Sequence, residues 1–142
     1  MSDNLVFNFN IDGSDFTSAG QASVQVKKNL RQLGLDAEVI RRVSVAMYEG
    51  EINMVIHAGG GTATVTVTED HIEIILDDSG PGIPDIEKAM QAGYSTASDK
   101  IRNLGFGAGM GLPNMKKNSD IMEIDSRLGV GTKITMRINL HT

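Results

Sequence analysis

The chain contains no cysteine. That excludes disulfides, cysteine–zinc sites and thiol catalysis. It has only three histidines, without metal-ligand spacing. Positive charge is not in excess. Thirteen Lys and Arg stand against 18 Asp and Glu, for a formal charge of −5 at pH 7. That balance disfavours non-specific binding to nucleic acid or to an anionic membrane. No apolar run approaches the ~20 residues needed to span a bilayer, and MSDNLVFNFN lacks the basic start of a signal peptide. These absences predict a soluble cytoplasmic protein with neither nucleic acid nor membrane as partner. There is also no repeat, low-complexity tract or linker, so residues 1–142 are expected to form one domain. A chain of this length can bury roughly two-thirds of its unfolded surface without covalent staples.

What is abundant is glycine. There are sixteen, nine of them between Gly80 and Gly131, which places chemistry that depends on the backbone in the second half. Around these glycines the elements read in order. Leu5 to Ile11 alternates apolar and polar residues, as a half-buried strand does. Phe16, Ala19, Ala22, Val26 and Leu30 recur at helical spacing between Ser14 and Leu33, and Gly34 is a stop signal. Asp36 is placed to cap a second helix running to about His57, with Glu38 in its first turn. Strands are expected over Thr62–Thr68 and Ile72–Leu76, joined by a turn at Glu69-Asp70, and again over Ile121–Ser126 and Lys133–Ile138. Asp85 to Met90 predicts one or two helical turns, and Gly109 to Lys117 predicts a helix that starts after glycines. The order predicts an α/β two-layer sandwich, a mixed and mainly antiparallel sheet covered by helices on one face.

Four stretches carry candidate chemistry. In Asp78-Ser79-Gly80-Pro81-Gly82 a carboxylate leaves a strand end, where it can accept a hydrogen bond from an exocyclic amine such as adenine N6. The glycines allow a flat base to approach closely, although the same string also describes an ordinary turn. In Gly105-Phe106-Gly107-Ala108-Gly109-Met110-Gly111-Leu112, successive small residues expose backbone N–H groups ahead of a helix N-terminus, which suits a phosphate chain. No Gly-Lys-Ser/Thr follows, so this is not a Walker loop, and taken alone it is equally a flexible linker. In the second helix Glu49, Asn53 and His57 fall at i, i+4 and i+8 and share one stripe. Glu51 points about 200° away from Glu49. An amide oxygen such as that of Asn53 suits Mg²⁺, which takes few protein ligands, and a carboxylate such as Glu49 can accept a proton from an attacking hydroxyl. A solvated polar face is the alternative for this stripe. Gly50, within the helix, costs about 1 kcal/mol relative to Ala and implies a close neighbour. Last, Gly129-Val130-Gly131-Thr132 reads as a hairpin turn, with Thr132 entering a strand near Asp78 and supporting the adenine side.

The conjunction of these motifs, in this order, resembles the GHKL ATPases, the family of gyrase, Hsp90, histidine kinases and MutL. More narrowly it resembles the small stand-alone branch of anti-sigma-factor serine/threonine kinases and the switch kinase of the stressosome. The resemblance runs from about Phe7 to Ile138. It implies the Bergerat fold, ATP and Mg²⁺ as cofactors, Glu49 as catalytic base and Asn53 as the Mg²⁺ ligand. It further implies Asp78 as the adenine aspartate, with Gly80 and Gly82 after it, then Gly107, Gly109 and Gly111 on the phosphates and Thr132 as the late threonine. Tyr94-Ser95-Thr96 is similar to the short lid motif of the small kinases, so Ser95 and Thr96 join the site, and Arg102 further along would reach the γ-phosphate. Where anti-sigma kinases continue with His-Ala-Tyr, this chain has His57-Ala58-Gly59-Gly60-Gly61, closer to the switch-kinase side.

Three functions follow from the resemblance. The first is a protein serine/threonine kinase acting on a STAS-domain antagonist or scaffold, with a sigma factor or a phosphatase as a further partner and a homodimer as its form. The second is a nucleotide-switched regulatory binding module, an anti-sigma factor with little or no kinase activity. The third is the catalytic domain of a histidine kinase acting in trans.

Overall fold

The computed structural model describes residues 4–13, 19–83, 85–91 and 111–140. Five strands are present among them: β1 (Leu5–Asp12), β2 (Gly60–Val67), β3 (His71–Asp78), β4 (Ile121–Arg127) and β5 (Gly131–Asn139). The helices are α1 (Gln21–Gln32), α2 (Ala37–Ala58), the single turn α3 (Ile86–Ala89) and α4 (Gly111–Lys117).

The strands form one sheet in the order β1-β2-β3-β5-β4. Every pairing among the described residues is antiparallel. The register follows from burial. Ala63, Val65 and Val67 of β2 stand opposite Leu76, Ile74 and Ile72 of β3, and all six are buried. A slip by one residue would expose the whole row. Beyond β3, Ile134, Met136 and Ile138 of β5 continue the same face. The other face is polar, carrying Thr62, Thr64 and Thr66 of β2 and the opposed pair Glu73 and Arg137.

The buried face is covered by one helical layer. The 22-residue helix α2 runs through its middle, packing on β2, β3 and β5 and flanked by α1 and α4. Val43, Met47, Met54 and Val55 of α2, Val26 and Leu30 of α1 and Met115 of α4 meet the sheet side chains in one core. The expected two-layer α/β sandwich is therefore the architecture.

Most boundaries fall within a residue or two of those expected from the sequence. The start of α1 is the exception. α1 begins at Gln21, after Gly20 at φ 97, a left-handed conformation that a helix does not pass through; the stretch 14–18 of the expected helix lies outside the described residues. Asp36 does stand at the N-cap of α2, without a side-chain capping bond. Asp85, by contrast, caps α3 by accepting a hydrogen bond from Lys88 N at 3.0 Å.

Candidate functional site

Gly50 decides how close Leu76 of β3 comes to α2, with Met115 of α4 in contact beside it. A Cβ at that position would collide with Leu76 Cδ1 and lie 3.4 Å from Met115 Sδ. The missing side chain lets a core leucine of β3 and the buried methionine of α4 meet the helix backbone. The close neighbour implied by a glycine in mid-helix is thus Leu76 and Met115. The consequence lies one residue away. Glu49 is half-buried, and Asn114 of α4 donates from Nδ2 to Glu49 Oε1 at 3.4 Å. A Cβ on Gly111, the first residue of α4, would sit 3.6 Å from Glu49 Oε2. The carboxylate therefore faces the start of the helix that follows the glycine repeat. Asn114 was not a candidate from sequence, because its one signal, lying three residues after Gly111 on a helix, says nothing about which element the helix packs against.

Asn53 is half-buried one turn along α2 from Glu49, on the same stripe, and no hydrogen bond engages its side chain among the described residues. His57, a further turn on, is also half-buried, and burial pushes its pKa down. Glu51 points the other way, as the helical angle predicts. It is 3% exposed and bonded to the N-terminus of α1. Two carboxylates that look equivalent in Glu49-Gly50-Glu51 therefore have unrelated surroundings.

The far end of α2 meets the Asp78 stretch. A Cβ on Gly80 would lie 2.7 Å from Ala58 Cβ and 2.8 Å from Ala58 Cα. Only glycine allows the chain after β3 to lie on the last turn of α2. Asp78 is held from two directions: its Oδ1 accepts from Gly80 N at 2.9 Å and from Thr132 N at 3.1 Å. Thr132 is the residue directly opposite Asp78 in the β3–β5 ladder. Two backbone donors thus fix one carboxylate oxygen, and no protein donor occupies the other among the described residues. Thr132 is 7% exposed, and its Oγ1 shares a hydrogen bond of 2.9 Å with Ser126 Oγ. Ser126 Oγ also accepts from Ile83 N at 2.7 Å. The segment Pro81–Ile83 is in this way pinned to the β4–β5 hairpin, and Gly129 N adds a bond to Pro81 O at 2.9 Å. A side chain on Gly82 would lie 2.6 Å from Arg127 O. Ser126 was not a candidate either, since in sequence it is one more strand residue beside a turn.

The structure thus brings together two groups along one helix. Gly111, Asn114 and Glu49 lie at one point, and Asp78, Gly80 and Thr132 lie together by Ala58, with Gly82 against the β4–β5 turn at Arg127. Nine helical residues separate Glu49 from Ala58, about 13 Å along the axis, with Asn53 between them. Leu112 is 6% exposed and belongs to the core, which leaves its main chain for any ligand. Ser95, Thr96, Arg102, Gly105, Gly107, Ala108, Gly109 and Met110 lie outside the described residues.

Known proteins are similar to this sequence over most of its length. Residues 14–138 match the histidine kinase-like ATPase domain. The chain is 34% identical over 118 residues to the serine/threonine-protein kinase RsbT of Bacillus subtilis, covering 80% of this chain and 83% of that protein. It is 32% identical over 122 residues to the anti-sigma F factor of Clostridium beijerinckii, covering 82% of each. It is also 33% identical over 121 residues to the anti-sigma F factor of Clostridium acetobutylicum, covering 82% of this chain and 81% of the relative. The match takes in every helix and the strands β2 to β5 that shape the site, and the chain belongs to the histidine kinase-like ATPase family.

Proposed function

We propose that this chain is an ATP- and Mg²⁺-dependent protein serine/threonine kinase of the anti-sigma or switch-kinase type. Its substrate would be a serine or threonine on a STAS-domain antagonist or scaffold, and its output the control of sigma-factor or stress signalling. The observation that carries this reading is the placement of Glu49, half-buried beside the start of α4 and on the same helical stripe as Asn53. A carboxylate so placed can take the proton of an incoming hydroxyl.

Membership of an ATPase family implies ATP binding, and the described residues fit a nucleotide. Asp78 has one oxygen tied down by two N–H groups and the other without a protein donor among the described residues, as a receiver of an exocyclic amine requires. Gly80 lets the chain after Asp78 lie directly on Ala58 of α2, which holds the carboxylate at the end of that helix. In this reading Gly111 and Leu112 contribute main-chain N–H groups to the phosphates, together with Gly105, Gly107, Ala108, Gly109 and Met110. Ser95, Thr96 and Arg102 form the cover. Asn53 offers an amide oxygen to Mg²⁺. No group of three or more His, Asp or Glu that could hold a metal exists among the described residues, so the ion would complete its shell with phosphate and water, as Mg²⁺ readily does. Bound ATP supplies the phosphoryl group, and Mg²⁺ neutralises charge on it. The protein's share is positioning and electrostatic stabilisation.

The relative named as a serine/threonine kinase supports transfer. The relatives named as anti-sigma F factors favour a second reading, a nucleotide-switched module in the cytoplasm that sequesters a sigma factor with little or no transfer. Incubation with γ-labelled ATP and a purified STAS-domain protein separates the two. Label on serine or threonine that disappears in Glu49→Gln is the expected result. Undiminished ATP binding without transfer to any candidate would shift the conclusion to the binding module. Acid-labile label on histidine would reject both.

A further inference from the structure

Charge is unevenly distributed along this acidic chain. Between Gln21 and Arg42 there are five cations, Lys27, Lys28, Arg31, Arg41 and Arg42, against two carboxylates, Asp36 and Glu38. The same stretch bounds a cleft of about 450 Å³ between the C-terminal half of α1 and the N-terminal half of α2. Leu35, Ala37, Ile40 and Val45 contribute apolar lining, and Lys27, Arg31 and Arg41 contribute its cations. Ser44 also lines it, but its hydroxyl donates to Ile40 O at 2.6 Å and is satisfied within the helix.

Two of these three cations are available. Lys27 and Arg31 stand one turn apart on α1, both exposed, and neither has an ion-pair partner among the described residues. Arg41 is engaged: its Nε and one Nη make a two-point contact with Glu38 at 3.1 and 2.6 Å, and its other Nη donates to Asn118 Oδ1 at 3.4 Å. Lys27 and Arg31 are therefore the cations the cleft offers to a partner. Ala37 to Val45 spans about 12 Å along α2, two helical turns. An apolar strip of that length with cations along it complements one shape and one charge: a short amphipathic helix with an aliphatic row flanked by carboxylates. Nucleic acid would use the cations but leave the apolar lining unmatched.

We propose that the α1–α2 cleft is a docking surface for an acidic amphipathic helix of a partner protein. It is separate from the candidate nucleotide site. The aliphatic row would pack on Leu35, Ala37 and Val45, and the carboxylates would meet Lys27 and Arg31. Rim charges of this kind chiefly set on-rate, salt dependence and partner choice.

The test uses the full chain and a dye-labelled synthetic 15-residue peptide with Leu at i, i+3, i+4 and i+7 and Glu beside them, followed by fluorescence anisotropy. Binding is expected, and the double variant Lys27→Glu/Arg31→Glu should weaken it by about tenfold or more. Both residues are exposed, so the fold is retained, which circular dichroism checks. Lys116→Glu/Lys117→Glu makes the same change in net charge on α4 and should leave binding within about twofold. A peptide with Lys in place of Glu should not bind. Equal weakening by the two double variants would overturn the proposal, because net charge alone would then explain the effect. So would absence of binding, or full competition by a single-stranded oligonucleotide. A homodimer that dissociates in Lys27→Glu/Arg31→Glu while the peptide does not bind would assign the cleft to a second copy of this chain instead.

Discussion

Replacing Glu51 by alanine removes the cap of a helix that starts 30 residues upstream. The α1 N-terminus has Gly20 at its N-cap and no side-chain capping bond of its own. Its first N–H groups are instead received by Glu51: Oε2 accepts from Gly20 N at 2.9 Å and Ala22 N at 3.3 Å, and Oε1 accepts from Ser23 N at 3.0 Å. The carboxylate is 3% exposed, so water cannot replace it in place. Each buried donor left unpaired costs about 1–3 kcal/mol, and loss of a negative charge at a helix N-terminus adds roughly 0.3–1 kcal/mol. Relief of the desolvation of the carboxylate itself offsets part of this. A net loss of about 3–5 kcal/mol is expected, in the range for breaking a buried charge from its partners. At ~2.1 cal/mol/K per residue, a chain of 142 residues loses about 10–17 °C in Tm. Glu51→Gln keeps one acceptor oxygen and turns an NH₂ group toward a donor, so it should lose about 1–3 kcal/mol. Thermal melts by circular dichroism give the Tm values, and hydrogen exchange at Ala22 and Ser23 locates the effect. A Glu51→Ala variant melting within ~2 °C of the parent, or with unchanged protection at those two amides, would refute the assignment of Glu51 as the cap.

Three further outcomes are expected. Asp78→Asn removes the charge from an oxygen that accepts two backbone N–H bonds. It should weaken ATP binding by about 10- to 100-fold in a calorimetric titration, and affinity within twofold of the parent would remove Asp78 from the base site. Gly80→Ala places a Cβ against Ala58 backbone and should cost about 1–3 kcal/mol in urea denaturation. Ala58→Gly in the same chain relieves only the Cβ contact, so recovery should be partial. Burial depresses the His57 pKa, so the unfolded chain takes up the proton first as pH falls. Stability from this group is whole above the ordinary histidine pKa of ~6.5 and is lost as pH drops through the lower folded value. His57→Gln should therefore flatten the stability-versus-pH curve below about pH 6.5 in urea melts. An unchanged slope would show that other groups govern that window.

Parts of this site were legible residue by residue because a helix is a local object. Once α2 is a helix, Glu49 and Asn53 must share a stripe and Glu51 must leave it, whatever the rest of the chain does. Gly50 announced a close neighbour but could not name it, and Leu76 and Met115 lie 26 and 65 residues further along. The Asp78–Gly80 turn was readable, since both ends of its bond are two residues apart. The second bond on Asp78, from Thr132, crosses 54 residues, and only the β3–β5 ladder creates it. The N-cap of α1 is hidden in the sequence for the same reason. Apolar spacing extends back to Phe16, but the cap that the first turn uses comes from Glu51.

By itself, then, the order of residues determined the strand alternation, the extent of α2, the division of helix faces within Glu49-Gly50-Glu51-Ile52-Asn53, and the motifs that resemble the ATPase family. Those follow from periodicities and turn chemistry acting within a few residues. The tertiary structure alone decided that β5 enters between β3 and β4, that Asn114 meets Glu49, that Ser126 and Thr132 hold Ile83, and that Glu51 belongs to α1. Each of these is a contact between elements distant in the chain. It forms because burying one apolar face of a sheet under one layer of helices leaves a single register in which the rows of isoleucine, leucine, valine and methionine all close.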